Sequence, residues 1–279
     1  MYKRQGLITA PYAVLVDAIS FLASGAFLTA IRKEEEKPAI PEGGRPRIRT
    51  ELWEGLQYVV RHPLLRPQAL CTGTSNFFSN VTFSVFLVYA VRTLELSAAE
   101  VGVIFTIGAL GGLVGALVSQ RLTRRFGVGR TTIATSFLWT SASFLVPLAP
   151  KDFPHPYLVA SFMISSFAIV IYNITQVSLR QAIAPQRIQG RMNSVMRFLV
   201  WGTIPLGSLT GGVLASTIGL RETLFVGAAG GLLSALPIVL SRAQRTLREI
   251  PEPEPDLAPV APGPGDIAVV APAPMGPDA

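Results

Sequence analysis

Side chains able to do chemistry are few in this chain, and most stand inside long apolar runs. Thr72, Asn76, Asn80 and Ser84 recur at every fourth position, a spacing that predicts one shared helix face. In hydrocarbon such a polar stripe should turn toward water or protein. It could line a substrate cavity or hydrogen-bond to neighbouring helices, and the residues leave both readings open, with Asn76 and Asn80 the leading cavity candidates. Asn173 and Gln176, with Arg180 beyond them, could form a gate or satisfy exposed helix ends. Arg197 could take part in a gate or snorkel to headgroups.

Carboxylates matter more by where they are missing. Proton coupling needs a protonatable group that changes environment, yet between Gln68 and Leu240 the acids are Glu95, Glu100, Asp152 and Glu222, in loops or at the edge of an apolar run. Asp17 is the acid inside a run, and is the coupling candidate by default. No G-x-x-x-x-G-K-[ST] run is present, which disfavours self-powered transport. Cys71 is the single cysteine, so no internal disulfide can form. We expect no metal site, no cofactor and no enzyme.

The elements that must hold these residues follow from composition. Of 279 residues, 49% are hydrophobic and 15% charged, and the net charge is +7; a soluble chain carries about 25% charged residues. Apolar residues cluster in seven blocks: Ala10 to Ile31, Gln68 to Val91, Val101 to Gln120, Thr131 to Leu148, Tyr157 to Ser178, Val195 to Ile218 and Thr223 to Leu240. About 20 such residues let a helix cross the hydrocarbon, so the predicted fold is an all-α polytopic membrane protein with seven spans. A barrel would show shorter alternating segments. The first block contains Asp17 and runs into Arg32 and Lys33, unlike a cleaved signal peptide.

Basic residues set the predicted orientation. One side holds Arg32, Lys33, Lys37, Arg45, Arg47, Arg49, Arg61 and Arg66, then Arg121, Arg124, Arg125 and Arg130, then Arg180, Arg187 and Arg191, and finally Arg242, Arg245 and Arg248; the other holds Arg92, Lys151 and Arg221. The basic side is expected to be cytoplasmic, with the C-terminus inside and the N-terminus outside. Because these charges are spread over four loops, they do not suggest nucleic acid. Lys3 and Arg4 break the pattern, and Met1 to Gln5 resemble a translated adapter tail, so residues 1–5 are expected to be non-native.

Residues 34–66 read as a linker, opening with Glu34-Glu35-Glu36 and rich in Pro and Gly, with an interfacial helix at about 50–61 capped by Thr50 and carrying Leu52, Leu56 and Val59 or Val60 on one face. Residues 243–279 read as a disordered Pro/Ala-rich tail. Gly108 with Gly112, Gly111 with Gly115, and Gly207 with Gly211 form G-x-x-x-G pairs, suited to close helix packing or to sliding surfaces.

Several runs resemble the major facilitator superfamily: Glu54-Gly55-Leu56-Gln57-Tyr58-Val59-Val60-Arg61-His62-Pro63, and above all Tyr172-Asn173-Ile174-Thr175-Gln176-Val177-Ser178-Leu179-Arg180-Gln181. Gly190-Arg191-Met192-Asn193-Ser194-Val195-Met196-Arg197-Phe198 and Trp201-Gly202-Thr203-Ile204-Pro205-Leu206-Gly207 are similar to its enterobactin-exporter and macrolide-efflux branch. The resemblance implies that residues 6–33 are the last helix of an N-terminal half that is otherwise missing, 34–66 the inter-half linker, and 67–242 the six-helix C-terminal half. Gln120 to Arg130 match only part of the family's loop motif, at Arg125 and Gly127; Arg130 follows, and a plain basic loop is an equal reading. The implied activity is proton-coupled export of a small amphipathic compound, such as a siderophore or drug, across a bacterial inner membrane. Its implied partners are the small-molecule substrate, the lipid bilayer and the missing half. The chain by itself is not expected to transport.

Rival readings are a seven-helix receptor and a non-transporting membrane scaffold. The lysines are Lys3, Lys33, Lys37 and Lys151, so none lies within a span to carry a retinal Schiff base.

Overall fold

The computed structural model describes residues 3–30 and 48–250. They belong to two compact units, Met1–Pro46 and Arg47–Ala279. In the first unit the described part is one helix, α1 (Lys3–Ala30). Its Leu15, Ile19, Phe21, Leu22, Phe27 and Leu28 are all exposed, as hydrocarbon rather than water would favour. Most of the expected linker before α2, and the tail from residue 251, lie outside the described residues.

The second unit contains α2 (Ile48–Arg61), α3 (Leu65–Arg92), α4 (Ala98–Phe126), α5 (Val128–Ala142), α6 (Leu145–Leu148), α7 (His155–Ile183), α8 (Gln186–Thr217), α9 (Leu220–Leu233), α10 (Leu236–Leu240) and α11 (Arg242–Thr246). Each of the seven apolar blocks is therefore helical over most of its described residues. Five segments are long and apolar enough to cross a membrane: Ala98–Phe126, Val128–Leu148, His155–Ile183, Ile188–Thr217 and Leu220–Leu240. At 28 residues, α3 also has the length, about 42 Å at 1.5 Å per residue, but its amides and hydroxyls lower its hydropathy. The apolar part of α1 is the shorter Asp17–Ala30.

Two blocks expected as single helices are interrupted. The fourth breaks between α5 and α6, and the seventh between α9 and α10. Pro147 and Pro237 lie just beyond the breaks and cannot donate to the preceding turn. Elsewhere the boundaries are set by local chemistry. Ser97 and Glu100 form a reciprocal capping box at the start of α4, which satisfies two orphan donors. Gly127, at φ +88°, turns the chain from α4 into α5 through a conformation that favours glycine.

The six long segments form two sets of three, α3 with α4 and α5–α6, and α7 with α8 and α9–α10. Packing is exchanged between the sets: α7 lies against α4 and α5, while α3 lies against α8 and α9. One set starts at the end bearing Arg61 and Arg66, hereafter the basic end, and the other starts at the opposite end. The two are thus an inverted pair.

Glycines permit the exchanged contacts. A Cβ on Gly108 would come within 2.6 Å of Phe162 Cβ on α7, and one on Gly115 within 2.6 Å of the Phe167 carbonyl. Gly111 abuts the Met163 backbone, and Gly112 faces Val170 and Ser166. In the other set Gly207 and Gly211 of α8 meet Phe77, Asn80, Val81 and Ser84 of α3. Both glycine groups therefore pack inside the six-helix unit.

The helix before α3 differs from expectation. It begins at Ile48, so Thr50 lies within it rather than at its cap. Val59 is buried while Leu52, Trp53 and Val60 are exposed, because α2 packs on α3 and α8. Gly55 rests on the Arg191 backbone, and Glu54 forms an ion pair with Arg191. The expected tail also starts too early at residue 243. Gln244 is fully buried, and the carbonyls of Leu247 and Arg248 accept from Gly129 N at 2.9 Å and Val128 N at 3.1 Å, tying this segment to the start of α5.

Candidate functional site

The sequence stripe on α3 does not remain on one face. A four-residue step advances about 400° around a helix of 3.6 residues per turn, so each step drifts by roughly 40°. Between Thr72 and Ser84 the stripe swings about 120°, from α7 toward α8. Thr72 is buried; its Oγ1 lies 2.9 Å from Tyr172 OH and accepts from Gln176 Nε2 at 2.7 Å. Ser84 Oγ instead lies against Gly211 of α8 and donates to the Val81 carbonyl at 3.0 Å.

Asn76 and Asn80 occupy the middle of the arc and are half-buried. Asn76 Nδ2 donates to the Thr72 carbonyl and Asn80 Nδ2 to the Asn76 carbonyl, both at 2.8 Å. Their donors are thus partly used within α3, and their Oδ1 atoms make no hydrogen bond among the described residues. An incoming donor could use these two acceptors.

The proposed gate residues separate. Gln176 is buried in the Thr72 cluster, Arg180 is half-buried, and Asn173 is exposed on another face of α7. Arg197 is exposed and its guanidinium lies 5.3 Å from the Trp201 ring centroid, a cation–π contact that leaves it at the surface of α8. Arg125 lies 5.6 Å from the Phe126 ring centroid, and Arg130 is exposed. Neither forms an ion pair among the described residues, and the visible role of Gly127 is the turn. Asp17, exposed on α1, belongs to the other unit.

Tyr172 and Gln68 are members of the polar arrangement that sequence reasoning passed over. Both carried a signal: Gln68 extends the four-residue series one step before Thr72, and Tyr172 precedes Gln176 by four. A buried tyrosine hydroxyl requires a partner, and Thr72 supplies it.

Charges dominate the opposite end. Lys151 Nζ lies 2.6 Å from Glu95 Oε1; the hydrogen bond, and then the charge attraction, lower the Glu95 carboxyl pKa and raise that of Lys151. His155 Nε2 approaches Glu100 Oε1 at 3.0 Å, joining the starts of α4 and α7. Among the described residues no group of three or more His, Cys, Asp or Glu could hold a metal ion.

Comparison with known proteins adds an independent line. The sequence profile of the Major Facilitator Superfamily matches residues 68–275. The chain is 30% identical over 182 residues to the multidrug efflux pump Tap of Mycolicibacterium fortuitum, covering 61% of this chain and 41% of that protein. It is 25% identical over 175 residues to the uncharacterized MFS-type transporter YceJ of Bacillus subtilis (strain 168), covering 62% and 42% respectively. The chain therefore spans about two fifths of the length of these relatives. No solved structure matches it significantly.

Proposed function

The chain belongs to the Major Facilitator Superfamily, and from that membership we propose that it supplies the last helix of the first half, the linker and the second half of a bacterial inner-membrane exporter. The similarity to Tap carries the export reading. The inverted three-helix sets support alternating access, with substrate bound near the bilayer midplane between two halves. Family membership leaves the seven-helix receptor without support.

In this reading the substrate is a small amphipathic compound, siderophore-like or drug-like, and protons drive its exit. Asn76 and Asn80 offer their free amide oxygens to it, while Asp17 or acids in the preceding half carry the coupling proton. The basic end and the C-terminus face the cytoplasm. The enterobactin-exporter and macrolide-efflux branch is the assignment that the runs around Arg191 and Trp201 support.

Cellular accumulation tests this directly. Cells expressing the protein from its full genomic reading frame should retain less macrolide or catechol siderophore than empty-vector cells, and a protonophore should abolish the difference. Asn76→Ala and Asn80→Ala should weaken export without lowering membrane abundance. Equal accumulation with and without the protein, across both compound classes, would sink the export reading. Unchanged pH dependence in Asp17→Asn would remove Asp17 from coupling.

A further inference from the structure

One layer of the six-helix unit holds buried polar atoms with no partner among the described residues. Gln68 and Gln244 are almost completely buried, and neither amide's oxygen or nitrogen finds a hydrogen-bond partner among the described residues. Arg180 Nε is likewise buried and unpartnered. No carboxylate among the described residues forms an ion pair with Arg180.

Helix register places Gln68 and Arg180 at one level of the unit. Gln176 of α7 donates to Thr72 of α3, and the two helices run in opposite directions. One turn from this bond toward the basic end lies Gln68 on α3 and Arg180 on α7. Above the layer Cys71, Tyr172 and Ile238 pack together, with Ile133 against them. Below it Leu64, Val128, Leu179 and Ile183 pack with Ala243 and Leu247, which flank Gln244. The polar layer is therefore enclosed by apolar layers on α3, α5, α7 and the segment around α11.

The chemistry of the unmatched atoms selects the occupant. Two amide oxygens need donors, while two amide nitrogens and a guanidinium N–H need acceptors. An inorganic anion would leave the oxygens unmet, and a metal cation would be repelled by Arg180. Water both donates and accepts, and buried water characteristically makes about three bonds to groups of this kind. We propose that Gln68, Arg180 and Gln244 form an internal hydration site, which water reaches from the basic end along the half-buried Arg180 side chain and occupies as far as the Thr72–Gln176 bond. The site rests on packing alone and stands or falls separately from the exporter reading.

X-ray radiolytic footprinting of the full chain in nanodiscs tests it, since irradiation of a bound water produces radicals that mark nearby side chains. Tyr172 is 1% exposed and Tyr89, at the opposite end, is 2% exposed, so a dry interior predicts equal, slow labelling. Hydration predicts that Tyr172 and Cys71 label at the rate of exposed Tyr157, and that Gln68→Leu returns Tyr172 to the Tyr89 rate. Labelling of Tyr172 no faster than Tyr89 in the unsubstituted chain overturns the proposal. Thermal unfolding gives a second reading. If the amides instead pair with each other, Gln68→Leu and Gln244→Leu should each lower Tm and the double variant should recover it, which also overturns the proposal. With water in the site, each single substitution leaves Tm level or raises it.

Discussion

Replacing Thr72 with valine is the sharpest test of the polar contact between α3 and α7. Thr72→Val keeps nearly the same volume, so the loss is dominated by the bonds to Tyr172 OH at 2.9 Å and Gln176 Nε2 at 2.7 Å. A neutral hydrogen bond contributes about 1 kcal/mol net in folded proteins; within membranes the average is nearer 0.6 kcal/mol, with a ceiling of about 1.7 kcal/mol. Both former partners are buried; Tyr172 keeps its side-chain contact with Cys71, whereas Gln176 Nε2 loses its acceptor, which places the expected cost at about 1–3 kcal/mol. Reversible unfolding in mixed micelles, read by helical circular dichroism, measures it. A cycle with Gln176→Leu should give a coupling of roughly 0.6–1.7 kcal/mol. Stability within about 0.3 kcal/mol of the parent, or strictly additive variants, would show that the bond does not hold the helices together.

Glycine packing and the charged end give further expectations. Gly115→Ala places a Cβ 2.6 Å from the Phe167 carbonyl, whereas Gly102→Ala meets nothing within 4 Å. The first should destabilise by about 1–3 kcal/mol and the second stabilise by up to about 1 kcal/mol through helix propensity, a contrast readable by the same unfolding assay. Glu95 has a lowered pKa beside Lys151, so its contribution is complete above the unfolded-state value and is lost as pH falls through the lowered folded value. Thermal unfolding of Glu95→Gln should accordingly show a shallower loss on acidification than the parent, and the difference should shrink in high salt because the pair is exposed. A parent and variant with parallel pH profiles would contradict the pairing. Glu54→Ala removes the ion pair with Arg191 and should increase proteolytic cutting within α2 without unfolding α3.

The helical blocks were legible because hydrocarbon demands long apolar runs, and length alone marked them. Pro147 and Pro237 were visible too, but their effect required knowing that each sits at the far end of a span, where a broken turn can be tolerated. The polar stripe was read with too simple a geometry: four-residue spacing drifts, so Thr72 and Ser84 face different helices. Tyr172 and Gln176 stand about a hundred positions from Thr72, and nothing local specifies that encounter. Gln244 was hidden for another reason. It follows the last apolar block among arginines, and only the return of Leu247 and Arg248 onto the start of α5 encloses it.

Exchange of helices between the two sets has a consequence for how the protein is made. During synthesis α3 emerges long before α8, and the roughly 130 residues separating Asn80 from Gly207 take on the order of 10 s at about 5–20 residues per second. For that interval Asn76 and Asn80 have no α8 to pack on. Their bonds to the carbonyls of Thr72 and Asn76 lie within α3 itself, so the nascent helix can shelter its own amide donors from lipid while it waits. A ribosomal stall in this window would present α3 to membrane quality-control proteases in its most polar, least protected form.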